Sequence, residues 1–253
     1  MKLSVFASGS SGNCLLLSEN HTHILIDAGI SMRRIQAFLL RAGLSWHDID
    51  GVLITHEHSD HICGLETIAR RTDVPVFAPH TVANRMRGRL PSLEEKLRII
   101  PVGEFFSVGA FRVMAFHTPH DTDESVGYRV EGASVFALAT DMGCVTDEIR
   151  SGLLGADAAL IESNHDLQML RDGPYPFPLK RRILSDRGHL SNDNCALLAR
   201  ELFDSGTGLI VLGHLSRENN RPALAMETVS AALTGCDVKL FCAPPEGPLD
   251  LEF

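Results

Sequence analysis

The sequence predicts an α/β fold in which sheet lies inside and helices lie outside. Three observations carry that expectation. Apolar runs of strand length recur along the whole chain, and helical patterns with recognisable start and stop residues lie between them. The composition is that of an ordinary globular chain, with 44% hydrophobic and 22% charged residues over 253 positions. A chain of this length can bury one sizeable core, and a single domain spanning 1–253 is expected. Disordered and collagen-like classes are excluded on composition.

In chain order, the strand-type runs are Leu3 to Ala7, Cys14 to Ser18, His23 to Asp27, Val52 to Thr55 and Val74 to Ala78. They continue with Phe111 to Phe116, Ser134 to Ala139, Ala158 to Glu162, Gly208 to Leu212 and Val238 to Cys242. Helix is expected over Met32 to Ala42, where an Ile35/Phe38/Leu39 stripe ends at Gly43, and over Ile62 to Arg70. Asn192 to Phe203 and Pro222 to Leu233 are two more; a proline at a helix start lacks only an N–H that would have no partner there. The early chain reads as hairpin-rich and the later chain as alternating strand and helix, which suggests layers. Arg171 to Gly188, with its prolines and the run Lys180-Arg181-Arg182, is expected to be a long irregular loop with a functional role.

Several classes are disfavoured. Cys14, Cys63, Cys144, Cys195, Cys236 and Cys242 form no Cys-x-x-Cys pair, so buried thiols are expected rather than a zinc knuckle or a disulfide frame. A formal charge of −9 argues against a protein that coats nucleic acid through a broad basic face. No apolar run of about twenty residues occurs and no leader-like start is seen, so no membrane association and a cytoplasmic location are expected. His21, His23, His47 and His80 lack partner motifs, and Trp46 is expected to pack near a helix start.

The segment Val52-Leu53-Ile54-Thr55-His56-Glu57-His58-Ser59-Asp60-His61 is a buried-type strand that runs into four possible ligands. Imidazole and carboxylate are donors that zinc, iron and manganese accept, and a rigid strand end can aim them. A solvated polar turn is the competing reading, but so dense a spacing rarely arises by chance.

His56 to His61 resembles the signature of the metallo-β-lactamase-fold hydrolases. Thr118-Pro119-His120-Asp121 resembles that family's third motif, Ala139-Thr140-Asp141-Met142-Gly143 its fourth and Val211-Leu212-Gly213-His214 its fifth, all in the family's order. The resemblance implies a four-layer αβ/βα sandwich and two divalent metal ions, Zn, Mn or Fe. One ion would be held by His56, His58 and His120 and the other by Asp60, His61 and His214, with Asp141 shared and Asp60 part of the catalytic machinery. A water between two such ions loses much of its proton affinity and acts as hydroxide at neutral pH. Asp27 matches a further family position, where a carboxylate would orient a ligating imidazole. Its alternative is a helix cap ahead of Met32, which Ser31 could equally supply.

Metal ligands alone do not choose among β-lactamase, thioesterase, lactonase and nuclease. Gly188-His189-Leu190-Ser191-Asn192 and His214-Leu215-Ser216 resemble elements of ribonuclease Z, in which the first histidine sits at the scissile phosphate. A catalytic His189 could hold a phosphoryl oxygen or give a proton to the leaving oxygen, and the helix start after Asn192 could offer N–H groups to an anion. A capped surface histidine is the alternative. Glu162, His165 and Asp166 are candidate supports for His189, unless that segment is a plain turn.

The similarity is closer to the YycJ/WalJ-type branch. It rests on Ser8 to Asn13, Ser163-Asn164-His165-Asp166, Tyr175-Pro176 with nearby basic residues, Gly188 to Asn192, and His214 to Asn220. That resemblance implies a nucleic-acid substrate, DNA, and 5′-to-3′ exonuclease action. Lys180, Arg181 and Arg182 with Arg187, and separately Arg85, Arg87 and Arg89, could meet phosphates or could be solvated faces. Ser191, Asn192, Ser216 and Asn219 are further candidates for contact with the substrate phosphate. A metal-dependent phosphodiesterase is therefore the expected function. The alternatives are a glyoxalase II-like hydrolase of small thioesters or lactones and, less favoured, a non-catalytic binding protein.

Overall fold

The computed structural model describes residues 1–253 and places two seven-stranded sheets face to face. The first contains β1 (Lys2–Ala7), β2 (Cys14–Glu19), β3 (Thr22–Ile26), β4 (Gly51–Leu53), β5 (Val76–Pro79) and β6 (Leu97–Ile100). The second contains β7 (Phe105–Val108), β8 (Phe111–His117), β9 (Val126–Glu131), β10 (Val135–Ala139), β11 (Ala158–Glu162), β12 (Leu209–Gly213) and β13 (Lys239–Cys242). The last strand, β14 (Leu249–Glu252), returns to pair with β1 at the first sheet's edge.

Nine helices cover the outer faces and the connections: α1 (Met32–Arg41), α2 (Ser59–Ile62), α3 (Leu65–Arg71), α4 (His80–Arg87), α5 (Asp147–Leu153), α6 (Leu167–Asp172), α7 (Phe177–Ile183), α8 (Asn192–Asp204) and α9 (Pro222–Ala232).

The period-two alternation of strand side chains builds the layers. Leu15, Leu17, Ile24 and Ile26 from one sheet meet Phe136, Leu138, Leu160 and Val211 from the other in the central core. Their sequence neighbours face outward. Leu16, Leu25 and Val52 pack beneath Ile35, Leu39, Ile68 and Val82 of α1, α3 and α4. Ala137, Ala139, Ile161 and Leu212 pack beneath Ile149, Leu198, Leu202 and Val229 of α5, α8 and α9. Three apolar interfaces between helix, sheet, sheet and helix make the four-layer αβ/βα sandwich. Strands buried on both faces read as continuous apolar runs for this reason.

Three local expectations are corrected. Each sheet begins antiparallel and finishes parallel: β1 to β3 and β7 to β10 are antiparallel, while β3 to β6 and β10 to β13 are parallel. Hairpins are thus not confined to the early chain. The helix expected over Ile62 to Arg70 is two, α2 and α3, broken where Gly64 N turns to donate to Ala28 O at 2.9 Å. The expected loop from Arg171 to Gly188 contains α7, because Pro176 and Pro178 fall where a helix begins. Short strands such as β7, β9 and β14 gave no distinct apolar run. All six cysteines are free, with Cys14 and Cys195 buried but Cys63 exposed. No helix is long and apolar enough to cross a membrane.

The parallel strands β3, β4, β10, β11 and β12 bring their carboxyl ends toward one edge of the sandwich, where an open α/β sheet typically binds ligands. Asp27, Asp141 and His214 follow three of them with φ of 60°, 56° and 54°. Non-glycine residues in this left-handed region cost about 1–3 kcal/mol each and concentrate at functional sites.

Candidate metal centre

The strand β4 leads into Thr55 and His56, and the chain then turns at His58, the residue capping α2. Asp60 and His61 lie in that helix's first turn, so a strand end and a helix start aim four side chains at one place. Asp27, on the neighbouring strand end, ties them together. Its Oδ1 accepts from Thr55 N at 2.9 Å, and its Oδ2 accepts from His61 Nδ1 at 2.8 Å. Thr55 Oγ1 also lies 3.1 Å from His56 Nδ1. These bonds occupy the Nδ1 atoms of His56 and His61 and leave both Nε2 atoms for the centre.

Distant segments complete the cluster. His120 follows β8, Asp141 follows β10 and His214 follows β12. Asp141 sits between the imidazoles: its Oδ2 is 3.3 Å from His61 Nε2 and 3.2 Å from His214 Nδ1, and its Oδ1 is 3.7 Å from His120 Nε2. Ligand atoms of His56, His58 and His120 lie within 4.8 Å of one another, as do those of Asp60, His61 and His214 and those of His56, His61 and Asp141. His56 Nε2, Asp141 Oδ2 and His214 Nδ1 are buried with no hydrogen-bond partner. Orphaned polar atoms are costly in a protein interior, and a divalent cation would satisfy all three. The donor set therefore fits divalent metal ions.

Protonation equilibria reflect this crowding. Burial, helped by the neighbouring His61, holds His56 well below the usual imidazole range. Burial also opposes a charge on His61, but the carboxylates of Asp27 and Asp141 outweigh it and raise its pKa well above the ordinary value. Burial would raise Asp141, yet His214 and His61 hold it well below the usual carboxylate range.

A second constellation adjoins the first. Glu162, at the end of β11 and fully buried, accepts from His189 Nδ1 through Oε1 at 2.7 Å. Its Oε2 accepts from Met142 N at 2.9 Å and Leu190 N at 3.2 Å. Both carboxylate oxygens are thus committed, and the residue orients His189 rather than offering a free ligand atom. The His189 ring lies 5.2 Å from that of His120 and 5.4 Å from that of His214. Burial disfavours imidazolium here, but Glu162, its hydrogen bond and Asp141 prevail and raise the pKa to about 9.

Several residues expected near a substrate have other work. Asp166 caps α6, its Oδ1 accepting from Met169 N at 2.7 Å, and does not support His189. His165 is buried with neither ring nitrogen bonded, and burial lowers its pKa to about 4. Ser191 caps α8 by accepting from Asn194 N at 3.2 Å, and the Asn192 side chain is locked to Ser163 and Asn220. Asn219 is fully buried. Lys180 donates to Arg171 O, Arg182 pairs with Asp121, and Arg187 holds His120 O and Thr122 O at 2.7 and 2.5 Å. In the other basic patch, Arg85 pairs with Asp123, Arg87 with Glu94, and Arg89 donates to Glu57 O. Arg181 and Ser216 remain available. His117, outside the cluster, bonds Glu148 at 2.9 Å.

Sequence reasoning assigned no role at the centre to Thr55, Asn13 and Ser8, and read Arg187 as a candidate phosphate contact, whereas it donates to His120 O and Thr122 O. Asn13 Nδ2 lies 3.1 Å from His61 Nε2, and Ser8 Oγ accepts from His214 N at 2.8 Å. Ser8 and Asn13 bound the glycine-rich run near the chain start, which was their one signal. Gly29 permits this close approach. A Cβ there would lie 1.7 Å from Asp60 O and 2.6 Å from Asn13 N. Gly29→Ala is expected to lose about 3 kcal/mol or more of stability, because rigid backbone must move. Urea unfolding checks this, and an unchanged midpoint would contradict the packing.

Comparisons with known proteins place the chain in a family. A family profile described as "Beta-lactamase superfamily domain" matches residues 22–214. The exodeoxyribonuclease YycJ of Bacillus anthracis is 41% identical over 237 residues, which cover 92% of this chain and 89% of that protein. The exodeoxyribonuclease WalJ of Streptococcus pneumoniae serotype 2 (strain D39) is 37% identical over 257 residues, 97% of this chain and 95% of that one. Among solved structures, Zn(2+)-bound PqqB from Methylobacterium extorquens superposes with a TM-score of 0.75 at 18% identity, covering all of both chains, a likeness of fold. With its His/Asp clusters, the chain is a metal-dependent hydrolase that belongs to the beta-lactamase superfamily and, within it, to the family of YycJ and WalJ.

Proposed function

We propose that this protein is a phosphodiesterase that degrades DNA from an end, using two divalent ions, zinc, manganese or iron. His56, His58 and His120 would hold one ion and Asp60, His61 and His214 the other, with Asp141 between them. The observation that carries the reading is His189, gripped by Glu162 and turned toward the His/Asp cluster. The names of the two long relatives, both exodeoxyribonucleases, support the choice of substrate.

When bound, the ions would polarise phosphoryl oxygens and acidify a water that serves as nucleophile. The chain's own residues do the rest. Asp27 and Thr55 fix the His61 and His56 rings, so that no reorganisation is required when charge develops. Glu162 accepts a hydrogen bond from His189 Nδ1, which leaves Nε2 free of that bond. A protonated His189 would then donate a hydrogen bond to a phosphoryl oxygen or a proton to the leaving oxygen.

End-labelled single- and double-stranded DNA and RNA, assayed with Mn²⁺, Zn²⁺ and Mg²⁺ added separately, test the proposal. The expected result is metal-dependent shortening of DNA from one end, abolished by a chelator. Efficient hydrolysis of thioesters or lactones, with no cleavage of DNA or bis(p-nitrophenyl) phosphate, would replace it with a small-molecule hydrolase.

A further inference from the structure

We infer that the cavity beside His189 receives the terminal nucleoside of a DNA strand, its base lying against Tyr175, so that reaction begins at an end. This rests on the nuclease reading above. The cavity has a volume of about 180 Å³ and an apolar wall of Tyr175, Leu179 and Ile183. Its floor is polar and nearly sealed. Asn164, 3% exposed, donates Nδ2 to His214 O at 2.9 Å and leaves Oδ1 without a partner. Ser216, 8% exposed, accepts at Oγ from Asn219 N at 3.2 Å and keeps its own hydroxyl proton to give. The floor thus presents one acceptor and one donor, both held by buried residues.

Charge decides what fits. Arg182 borders the cavity, but its guanidinium is paired with Asp121, which borders it too. A terminal phosphate would meet the Asp121 carboxylate and the Asn164 amide oxygen, and both cations at the cavity, Arg182 and His189, are already paired with carboxylates, Asp121 and Glu162. A nucleobase is neutral and flat and carries donors and acceptors, matching an aromatic wall and a mixed floor. His189 lines this cavity and also adjoins the His/Asp cluster, so a nucleoside seated here places its linking phosphodiester at the cluster. Buried Asn164 and Ser216 close the floor, so a strand cannot continue past a nucleoside seated on it, which suits the last residue of a strand.

The test uses single-stranded oligonucleotides that differ in one position: the last residue, at either the 5′ or the 3′ end, carries a base or lacks one. At the end that is attacked, the parent protein should cut the intact strand about tenfold faster, the scale of one base–aromatic stack. Tyr175→Ala should abolish this ratio and Tyr175→Phe should keep it, with circular dichroism confirming the fold of both. Equal parent rates on intact and abasic ends would overturn the inference, as would a preserved ratio in Tyr175→Ala. A rate governed by a terminal phosphate, whatever the base, would assign the cavity to an anion and overturn it as well. A parent protein that cuts no oligonucleotide with Mn²⁺, Zn²⁺ or Mg²⁺ removes the nuclease reading itself, and the inference falls with it; cleavage without base preference sinks the cavity assignment alone.

Discussion

Replacing Asp141 by asparagine is expected to lower turnover roughly 10³-fold and to reduce the metal bound per chain. The carboxylate lies within 3.7 Å of His61, His120 and His214 and is 2% exposed, so it puts its negative charge where the two ligand groups meet. Asparagine keeps the shape but removes the charge, and several kcal/mol of charge stabilisation at the reaction centre corresponds to about that factor in rate. The fold should survive, since asparagine has nearly the same shape and tolerates the left-handed backbone of this position, φ 56°. Metal analysis by mass spectrometry beside steady-state kinetics decides the point. Parent-like metal content with parent-like turnover would remove Asp141 from the centre.

The second large effect is expected at His189. His189→Ala should keep the parent metal content and lose about 10²- to 10⁴-fold in turnover on nucleic acid, the range for a positioned acid. The pH dependence separates its role from that of Glu162. His189 is raised to about 9, so it is protonated below that value and its contribution fades as pH rises through it. Bound cations nearby would draw the value down, because like charge disfavours imidazolium. The alkaline limb of the kcat profile should therefore lie at or below about 9. Glu162→Gln removes the raising carboxylate and should move that limb to lower pH, whereas a purely structural Glu162 would lower activity evenly across pH. Full activity of His189→Ala on DNA would show that the imidazole takes no part.

The layers were legible in the sequence because their physical signal is local. Ile24, Leu25 and Ile26 alternate between two cores, and a strand buried on both faces must be apolar throughout. The break of the expected Ile62 to Arg70 helix was not legible. It depends on Gly64 meeting Ala28, thirty-six residues earlier. The loop expected over Arg171 to Gly188 was misread because its prolines mark both loops and helix starts, and only the packing of Ile183 chooses the helix.

The same division runs through the site. His56, His58, Asp60 and His61 are contiguous, so one strand end and one helical turn suffice to aim them, and their spacing alone determined a candidate metal centre. Their partners are held by pairings that only the tertiary structure decided. The parallel order β10, β11, β12 sets Asp141, Glu162 and His214 side by side, and burial then selects Glu162 over His165 and Asp166 as the support of His189. It likewise buries Asn192 and Asn219 and brings Tyr175 to the cavity. A residue's type states which bonds it can make. Which it does make, over separations of 27 residues from Glu162 to His189 and 206 from Ser8 to His214, depends on how the sheets close.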